Sequence, residues 1–299
     1  MSTYILTYGG RPITRNQGQY NFISTDWVDW VPMTWQYNRI PTYGNNVWNE
    51  GDDSTAYYSQ ANYSYNYALY LPVSGTTGAW SNTSWTNLTR FDGKHVWNGV
   101  DGNTYFSNAD NGEFSYYILD TSGSRWNKKS WSVSLWGEYI WSIGGINYCS
   151  TDFYYNESTG KWGIANWQRD TPMYTSNPLG NQIWKDNSGH VYYSNVALDS
   201  SSEQYEIVRA ESGQTPSGTW YSKTWKGLTK FYGEDVWHHP NGMIFYSRGT
   251  QQYVLDEATS TWSPMTWKGL TSYYGRHVWT YKGRVYYSNG NDNQYVLTW

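Results

Sequence analysis

The stretch Thr224-Trp-Lys-Gly-Leu-Thr-Lys-Phe-Tyr-Gly-Glu-Asp-Val-Trp237 returns almost unchanged as Thr266-Trp-Lys-Gly-Leu-Thr-Ser-Tyr-Tyr-Gly-Arg-His-Val-Trp279. A repeated unit fixes the architecture of a chain before any local signal is weighed. Its last part, Gly-x-x-(Val/Ile)-Trp, ends at Trp48, Trp97, Trp141, Trp184, Trp237 and Trp279, in steps of 49, 44, 43, 53 and 42 residues. An aromatic pair with Ser follows each time: Tyr57-Tyr58-Ser59, Tyr105-Phe106-Ser107, Tyr148-Cys149-Ser150, Tyr192-Tyr193-Ser194, Phe245-Tyr246-Ser247 and Tyr286-Tyr287-Ser288. A third unit is an apolar run such as Gln252-Tyr-Val-Leu-Asp256. The fourth is Trp-x-x-x-x-Trp, at Trp30/Trp35, Trp80/Trp85, Trp126/Trp131, Trp162/Trp167, Trp220/Trp225 and Trp262/Trp267.

Four short β-type units every 40–50 residues or so match one four-stranded blade per repeat. The units are β-branched or aromatic and bounded by Gly and Asn, as strands are. Asp101-Gly102 and Asn241-Gly242 sit between a Trp strand and an aromatic strand, where a tight hairpin is needed. No window shows helical periodicity. The expectation is an all-β chain, a six-bladed β-propeller. The first Trp pair precedes the first Gly-x-x-Val-Trp unit, and Asp29-Trp-Val-Pro-Met-Thr-Trp35 matches Thr261-Trp-Ser-Pro-Met-Thr-Trp267. The N-terminal segment is thus expected to supply the outer strand of the last blade and close the ring, leaving no open sheet edge. Residues 1–25 read as an N-terminal extension and 26–299 as one domain. Gln19-Tyr-Asn-Phe-Ile23 resembles a third strand and competes on paper with Gln294-Tyr-Val-Leu297 for the closing blade.

Composition narrows the function. The chain has 299 residues with Trp 21 and Tyr 32 but only Phe 7, and charged residues make up 15%. Net charge is −4, with no basic cluster to neutralise phosphates, so nucleic acid is not an expected partner. The single Cys149 excludes an intrachain disulfide and a cysteine-based metal site. The opening Met1-Ser-Thr-Tyr-Ile-Leu does not read as a secretory signal, and no apolar run approaches the roughly 18 residues of a membrane span.

The run Tyr253-Val-Leu-Asp-Glu-Ala-Thr-Ser-Thr-Trp262, then Gly275-Arg-His-Val-Trp279 and Gly283-Arg-Val-Tyr-Tyr-Ser-Asn-Gly290, resembles the kelch repeat. The resemblance covers residues 26–299 and implies a kelch-type propeller. The kelch Gly-Gly is mostly replaced by Ser-Asn or Ser-Arg, so no kelch subfamily and no subfamily partner is implied.

Groups that recur at one repeat position read as structural; groups off the pattern are the site candidates. Trp35, Trp48, Trp85, Trp97, Trp131, Trp141, Trp167, Trp184, Trp225, Trp237, Trp267 and Trp279 belong to the repeat. His95 and His277 share one repeat position, and Cys149 fills an aromatic slot, so all three read as structural. His238 and His239 are off the pattern, but neighbours on a strand point to opposite faces and chelate poorly. His190 reads as a residue at the start of a strand. The resemblance to kelch propellers raises a copper oxidase similar to galactose oxidase, whose Tyr–Cys link and convergent His ligands have no match here. A sialidase is opposed by the missing Ser-x-Asp of its Ser-x-Asp-x-Gly-x-Thr-Trp hallmark. No cofactor, metal or catalytic residue is expected.

Binding is indicated by the Tyr-rich stretch Gln60-Ala-Asn-Tyr-Ser-Tyr-Asn-Tyr67 in blade one, since Tyr with Asn and Ser suits glycan and protein surfaces alike. Tyr63, Tyr65 and Tyr67, with His238 and His239, are the candidate contact residues. Low charge, a Tyr/Trp/Asn/Ser/Gly-rich surface and near-tandem repeats resemble phage fibres and adhesins. The expectation is a non-enzymatic virion component of a bacteriophage, in tail, fibre or head decoration. It would contact host-surface glycan or other virion proteins and could itself be a homo-oligomer. The alternatives are a cytoplasmic kelch adaptor, although no BTB or F-box partner domain is present, and a secreted carbohydrate-active propeller.

Overall fold

The computed structural model describes residues 6–8, 11–13, 15–16, 19–20, 29–36, 42–50, 55–70, 76–108, 115–120, 122, 124–130, 133, 135–150, 153–156, 159, 161–169, 179–196, 202–210, 216–290 and 293–298. Six antiparallel sheets follow one another as the blades of a β-propeller. Blade 1 runs through Val47–Asn49, Ala56–Gln60, Tyr65–Tyr70 and Thr77–Asn82. Blade 2 uses Val96–Asn98, Thr104–Ser107, Ser115–Asp120 and Arg125–Ser130. Blade 3 uses Ile140–Ile143, Ile146–Cys149, Phe153–Asn156 and Lys161–Ile164. Blade 4 uses Ile183–Lys185, Val191–Val196, Ser202–Ala210 and Ser217–Ser222. Blade 5 uses Val236–His238, Ile244–Gly249, Gln251–Asp256 and Thr261–Pro264. Blade 6 combines Val278–Tyr281, Arg284–Ser288 and Gln294–Thr298 with Asp29–Pro32 from the other end of the chain.

In that last blade Leu297 pairs with Trp30 and Val296 with Val31. Gln294–Thr298 therefore occupies the third-strand place. Val296, wholly buried there, would be replaced by the amide of Asn21 if the rival segment were used. Gln19–Tyr20 pairs instead with Arg15–Asn16, and the rest of that segment lies outside the described residues.

The core is six separate clusters, one between each pair of neighbouring blades. Each contains the inner-strand Trp of one blade and the outer-strand Trp of the next. Trp48 meets Trp126 at 5.8 Å between ring centroids, and Trp184 meets Trp262 at 5.9 Å. Trp237 meets Trp30 at 6.2 Å, and Trp279 meets Trp80 at 6.1 Å. The second Trp of the Trp-x-x-x-x-Trp motif joins from the connector: Trp85 lies 6.0 Å from Trp126, and Trp225 lies 6.1 Å from Trp262. The connector reaches there by a parallel bridge onto the outer edge of the next blade, as Thr86 does with Arg125 and Lys226 with Thr261. At blades 1 and 4 the bridge lengthens into a fifth strand, Thr34–Gln36 and Asn166–Arg169. The Trp131 ring, and the side chain of Trp35, lie outside the described residues.

The inner Trp also explains the invariant Ser. Its indole stacks on the first aromatic of the next strand, 4.4 Å for Trp97 on Tyr105 and 4.6 Å for Trp237 on Phe245. Its Nε1 donates to Ser59, Ser107, Ser194, Ser247 or Ser288 Oγ at 2.9–3.1 Å. In blade 3 the Trp141 indole donates to the Ser150 carbonyl instead. A buried N–H left without an acceptor would cost about 1–3 kcal/mol.

Blades three apart are alike. Blades 1 and 4 have the fifth strand; blades 3 and 6 turn tightly at Gly144-Gly145 and Lys282-Gly283, all at positive φ. Blades 2 and 5 use the longer turns ending in Gly102 and Gly242. Phe91-Asp-Gly-Lys-His-Val-Trp97 aligns with Phe231-Tyr-Gly-Glu-Asp-Val-Trp237 in the same way. The ring is thus two sets of three blades. Among the described residues no helix is long and apolar enough to cross a membrane.

Candidate functional site

The antiparallel order gives the propeller two unlike ends. One, the hairpin end, carries the turns between first and second strands. The other, the turn end, carries six single 3-10 turns that lead into the inner strands: Gly44–Asn46, Gly93–His95, Gly137–Tyr139, Gly180–Gln182, Gly233–Asp235 and Gly275–His277. The glycines are there because of a close approach. A methyl group on Gly93, Gly137, Gly180, Gly233 or Gly275 would overlap the carbonyl of the third turn residue one blade earlier, and one on Gly44 would overlap that of His277. Main chain meets main chain around the axis, and only glycine permits it.

The residues flanking these glycines face outward. Ahead of each stand Tyr43, Asp92, Trp136, Leu179, Tyr232 and Tyr274. Tyr43, Leu179 and Tyr274 are 37%, 42% and 40% exposed, unusual for large apolar side chains that share one end. After each glycine stand Asn45, Lys94, Glu138, Asn181, Glu234 and Arg276. Lys94 pairs with Glu138 at 3.3 Å and Arg276 with Glu234 at 2.6 Å; Asn181 donates to Glu234 at 3.4 Å.

The densest chemistry lies where blades 5 and 6 meet. Asp235, fully buried, takes a turn position that elsewhere holds Asn46, His95, Tyr139, Gln182 or His277. Arg276 approaches it side-on, Nε and NH2 both donating at 2.8 Å, and Arg248 NH1 donates at 2.7 Å. Arg248 stacks on Tyr232, 4.0 Å from its ring centroid, with Tyr274 at 5.8 Å. It follows Ser247, where the other blades carry Gln60, Asn108, Thr151, Asn195 or Asn289. Burial pushes the Glu234 carboxyl up from its ordinary value against the pull of Arg276. Both oxygens of Asp235 are occupied by guanidinium groups, and the arrangement fixes two planar, cationic surfaces beside two tyrosine rings. Such surfaces stack and hydrogen-bond to ligands.

The sequence-selected residues fall in several places. Tyr63 lies in the short turn Ala61–Tyr63 at the turn end; its side chain is outside the described residues. That turn is tied to the connector before blade 2: Ala61 N donates to Asp92 at 3.0 Å and Arg90 Nε to Ser64 at 2.8 Å. Tyr65 is half-buried and lies 5.6 Å from Tyr67, which at 9% exposure belongs to the core between blades 6 and 1. His238 and His239 do point apart. His238 is exposed and its Nε2 lies 2.7 Å from the Lys185 carbonyl of blade 4. His239 is buried, accepts from Asn241 N at 3.0 Å, and is pushed down to about 4 by burial. Asn98 makes the equivalent link to the Asn49 carbonyl at 3.3 Å, so His238 stands at a position that joins blades. Cys149 is buried in the cluster between blades 2 and 3. Among the described residues no three His, Cys, Asp or Glu side chains are grouped to hold a metal.

Sequence reasoning overlooked Asp235, Arg248 and the outward ring. The signal was available: each breaks the repeat at its own position. In the sequence Gly-x-x-(Val/Ile)-Trp reads as one β-type unit, which hides the turn at its start and the convergence of the six turns.

The sequence matches no known family and no curated protein. Among solved structures the chain is similar to the extracellular domain of a putative hybrid two-component system from B. thetaiotaomicron, with TM-score 0.45, 9% identity, 91% of this chain and 42% of that one covered. It is similar to the extracellular domain of a putative one-component system of that organism, with TM-score 0.47, 10% identity and the same coverages. It is also similar to Kuenenia stuttgartiensis hydrazine synthase, with TM-score 0.39, 14% identity, 84% of this chain and 76% of that one. The chain spans less than half the length of the two extracellular domains.

Proposed function

We propose that this chain is a non-catalytic recognition propeller that binds through its turn end, and that it serves as a bacteriophage virion component contacting host-surface glycan or neighbouring virion subunits. One observation carries the reading: exposed Tyr43, Leu179 and Tyr274 converge on the end that also gathers the charged ring. Aromatic faces flanked by amides and guanidinium groups suit pyranose rings and polar protein surfaces. The guanidinium groups that Asp235 fixes beside Tyr232 and Tyr274 support a binding role. Low charge and the Tyr/Trp/Asn-rich composition support the virion assignment, and the Tyr–Asp–turn–Trp order supports kelch-like ancestry.

The test is a glycan array, with isolated host envelopes alongside, probed with the wild type, with Tyr43→Ala plus Tyr274→Ala, and with Tyr221→Ala. Tyr221 is 47% exposed on an outer strand, away from the axis. Saturable binding that falls at least about tenfold only in the turn-end variant is expected, equivalent to about 1.4 kcal/mol. Binding unaffected by the turn-end pair would place recognition elsewhere.

A further inference from the structure

Among the differences between the two sets of three blades is the charge of the axial ring. Lys94 of blade 2 and Glu138 of blade 3 form one ion pair. At the equivalent places three blades on, Glu234 and Arg276 form the same pair with the signs exchanged. Going round from blade 1, the ring reads Asn45, Lys94, Glu138, Asn181, Glu234, Arg276. The positive groups therefore sit on blades 2 and 6, either side of Asn45. The negative groups sit on blades 3 and 5, either side of Asn181. The exchange turns a face that would have had two-fold symmetric charge into a dipolar one. Nearby Arg248 and Asp235 add no net charge to the ring, since buried Asp235 is shared between Arg248 at 2.7 Å and Arg276 at 2.8 Å.

We propose that this dipolar face is self-complementary and pairs two copies of the chain, turn end to turn end, about a two-fold axis lying in the plane of the ring. The inference rests on the reading that the turn end is the recognition surface, and names a second copy as its partner, one that competes with glycan for the same face. A two-fold contact brings each residue opposite a fixed counterpart and repeats every contact twice. With six equal blades, the axis perpendicular to the dipole places blade 1 over blade 4, blade 2 over blade 3 and blade 5 over blade 6. Lys94 then faces Glu138 of the other copy, and Arg276 faces its Glu234. Of the residues ahead of the glycines, Tyr43 meets Leu179 and Tyr232 meets Tyr274, while Asp92 meets Trp136. An axis through two opposite blades sets like charges together, and the two other axes between blades leave half of the charged residues facing Asn45 or Asn181. Opposed charges across an interface set register and exclude wrong pairings more than they add affinity.

The experiment is sedimentation equilibrium of the full chain with Lys94→Glu, with Glu138→Lys, with both together, and with the two single variants mixed. These side chains are 37% and 21% exposed, so the fold should tolerate the exchange, and near-UV circular dichroism checks that it does. The wild type should reach twice the 34.8 kDa chain mass at micromolar concentration. Each single variant places like charges opposite each other twice, and should dimerise at least about tenfold more weakly. The mixture should recover a one-to-one heterodimer, and the double exchange should recover the homodimer. A wild type that stays at the single-chain mass overturns the proposal. So do single variants that dimerise like the wild type, or singles that weaken without recovery in the mixture or the double exchange. Glycan binding by a wild type that never dimerises would leave the turn-end reading standing and remove only this inference.

Discussion

Trp80 and Trp85, neighbours in one sequence motif, face opposite sides of blade 1: Trp80 packs 6.1 Å from Trp279 of blade 6, whereas Trp85 packs 5.7 Å from Trp48 and 6.0 Å from Trp126 of blade 2. Side chains in one cluster couple energetically; those in separate clusters add. Trp80→Phe and Trp85→Phe should therefore be additive within about 0.5 kcal/mol, while Trp85→Phe with Trp126→Phe should show a coupling above about 0.5 kcal/mol. Urea unfolding of the single and double variants measures both terms. The opposite ranking would show that the motif acts as a pair.

Ser247 Oγ accepts the Trp237 indole N–H at 3.0 Å. Ser247→Ala should destabilise by about 1–3 kcal/mol, the cost of a buried donor left unbonded. Ser150→Ala is the control, because there the main-chain carbonyl accepts and survives the change. Equal losses in the two variants would remove this role for the serine.

A single methyl group at the axis should do more damage. Gly180→Ala drives a Cβ into the Tyr139 carbonyl, and neither main chain has a rotamer to yield. Overpacking of this kind costs about 1–3 kcal/mol, occasionally more, and thermal unfolding should place this variant at the upper end. A neutral outcome would mean that the blades can separate at the axis without loss.

Acid should weaken the fold through histidine. Burial pushes His239 down to about 4, and burial with Arg276 alongside does the same to His277. The unfolded chain takes up these protons near pH 6.5, the folded one not until about pH 4. Their contribution is complete above about pH 6.5 and is lost as pH falls towards 4. Glu234, whose carboxyl is raised by burial, works in the opposite sense. Between pH 7 and 5 each histidine should remove about 1–2 kcal/mol. His239→Gln should remove its share, seen as a smaller shift in urea midpoint between the two pH values. An unchanged shift would show that His239 titrates normally.

Much of the blade plan could be read from the chain because period-setting residues are large and scarce. A Trp every 42–53 residues stands out against any background, and so does Ser after two aromatics. What periodicity does not carry is direction. Nothing in Trp-x-x-x-x-Trp says that its connector crosses to the next blade, so Trp80 and Trp85 looked like partners. The duplication of three blades was hidden for a related reason: the eye aligns adjacent repeats, whereas Asp101-Gly102 answers to Asn241-Gly242 three repeats on. Tyr67 illustrates the limit for sites. Its neighbours are Asn and Ser, which suggested a surface loop, yet its strand turns it into the core between blades 6 and 1, with Tyr65 on the same face at the strand's start and only half-buried. Arg248 was visible as Ser-Arg in place of Ser-Asn, but the buried Asp235 that holds it is brought near only by folding.

The glycine turns at the axis hold the blades at a spacing set by main chain alone. Apart from Arg276, which holds buried Asp235 of the neighbouring blade, residues on either side of each glycine are consequently spared the main part in keeping the ring together. Their identities across the six turns range over Tyr, Asp, Trp and Leu before the glycine, and Asn, Lys, Glu and Arg after it. A lineage can exchange them one at a time, reversing a charge or replacing an aromatic, without altering where the next blade sits. The end of the propeller proposed to meet other molecules is thus also the part most open to rapid divergence, while the tryptophan interfaces behind it stay fixed.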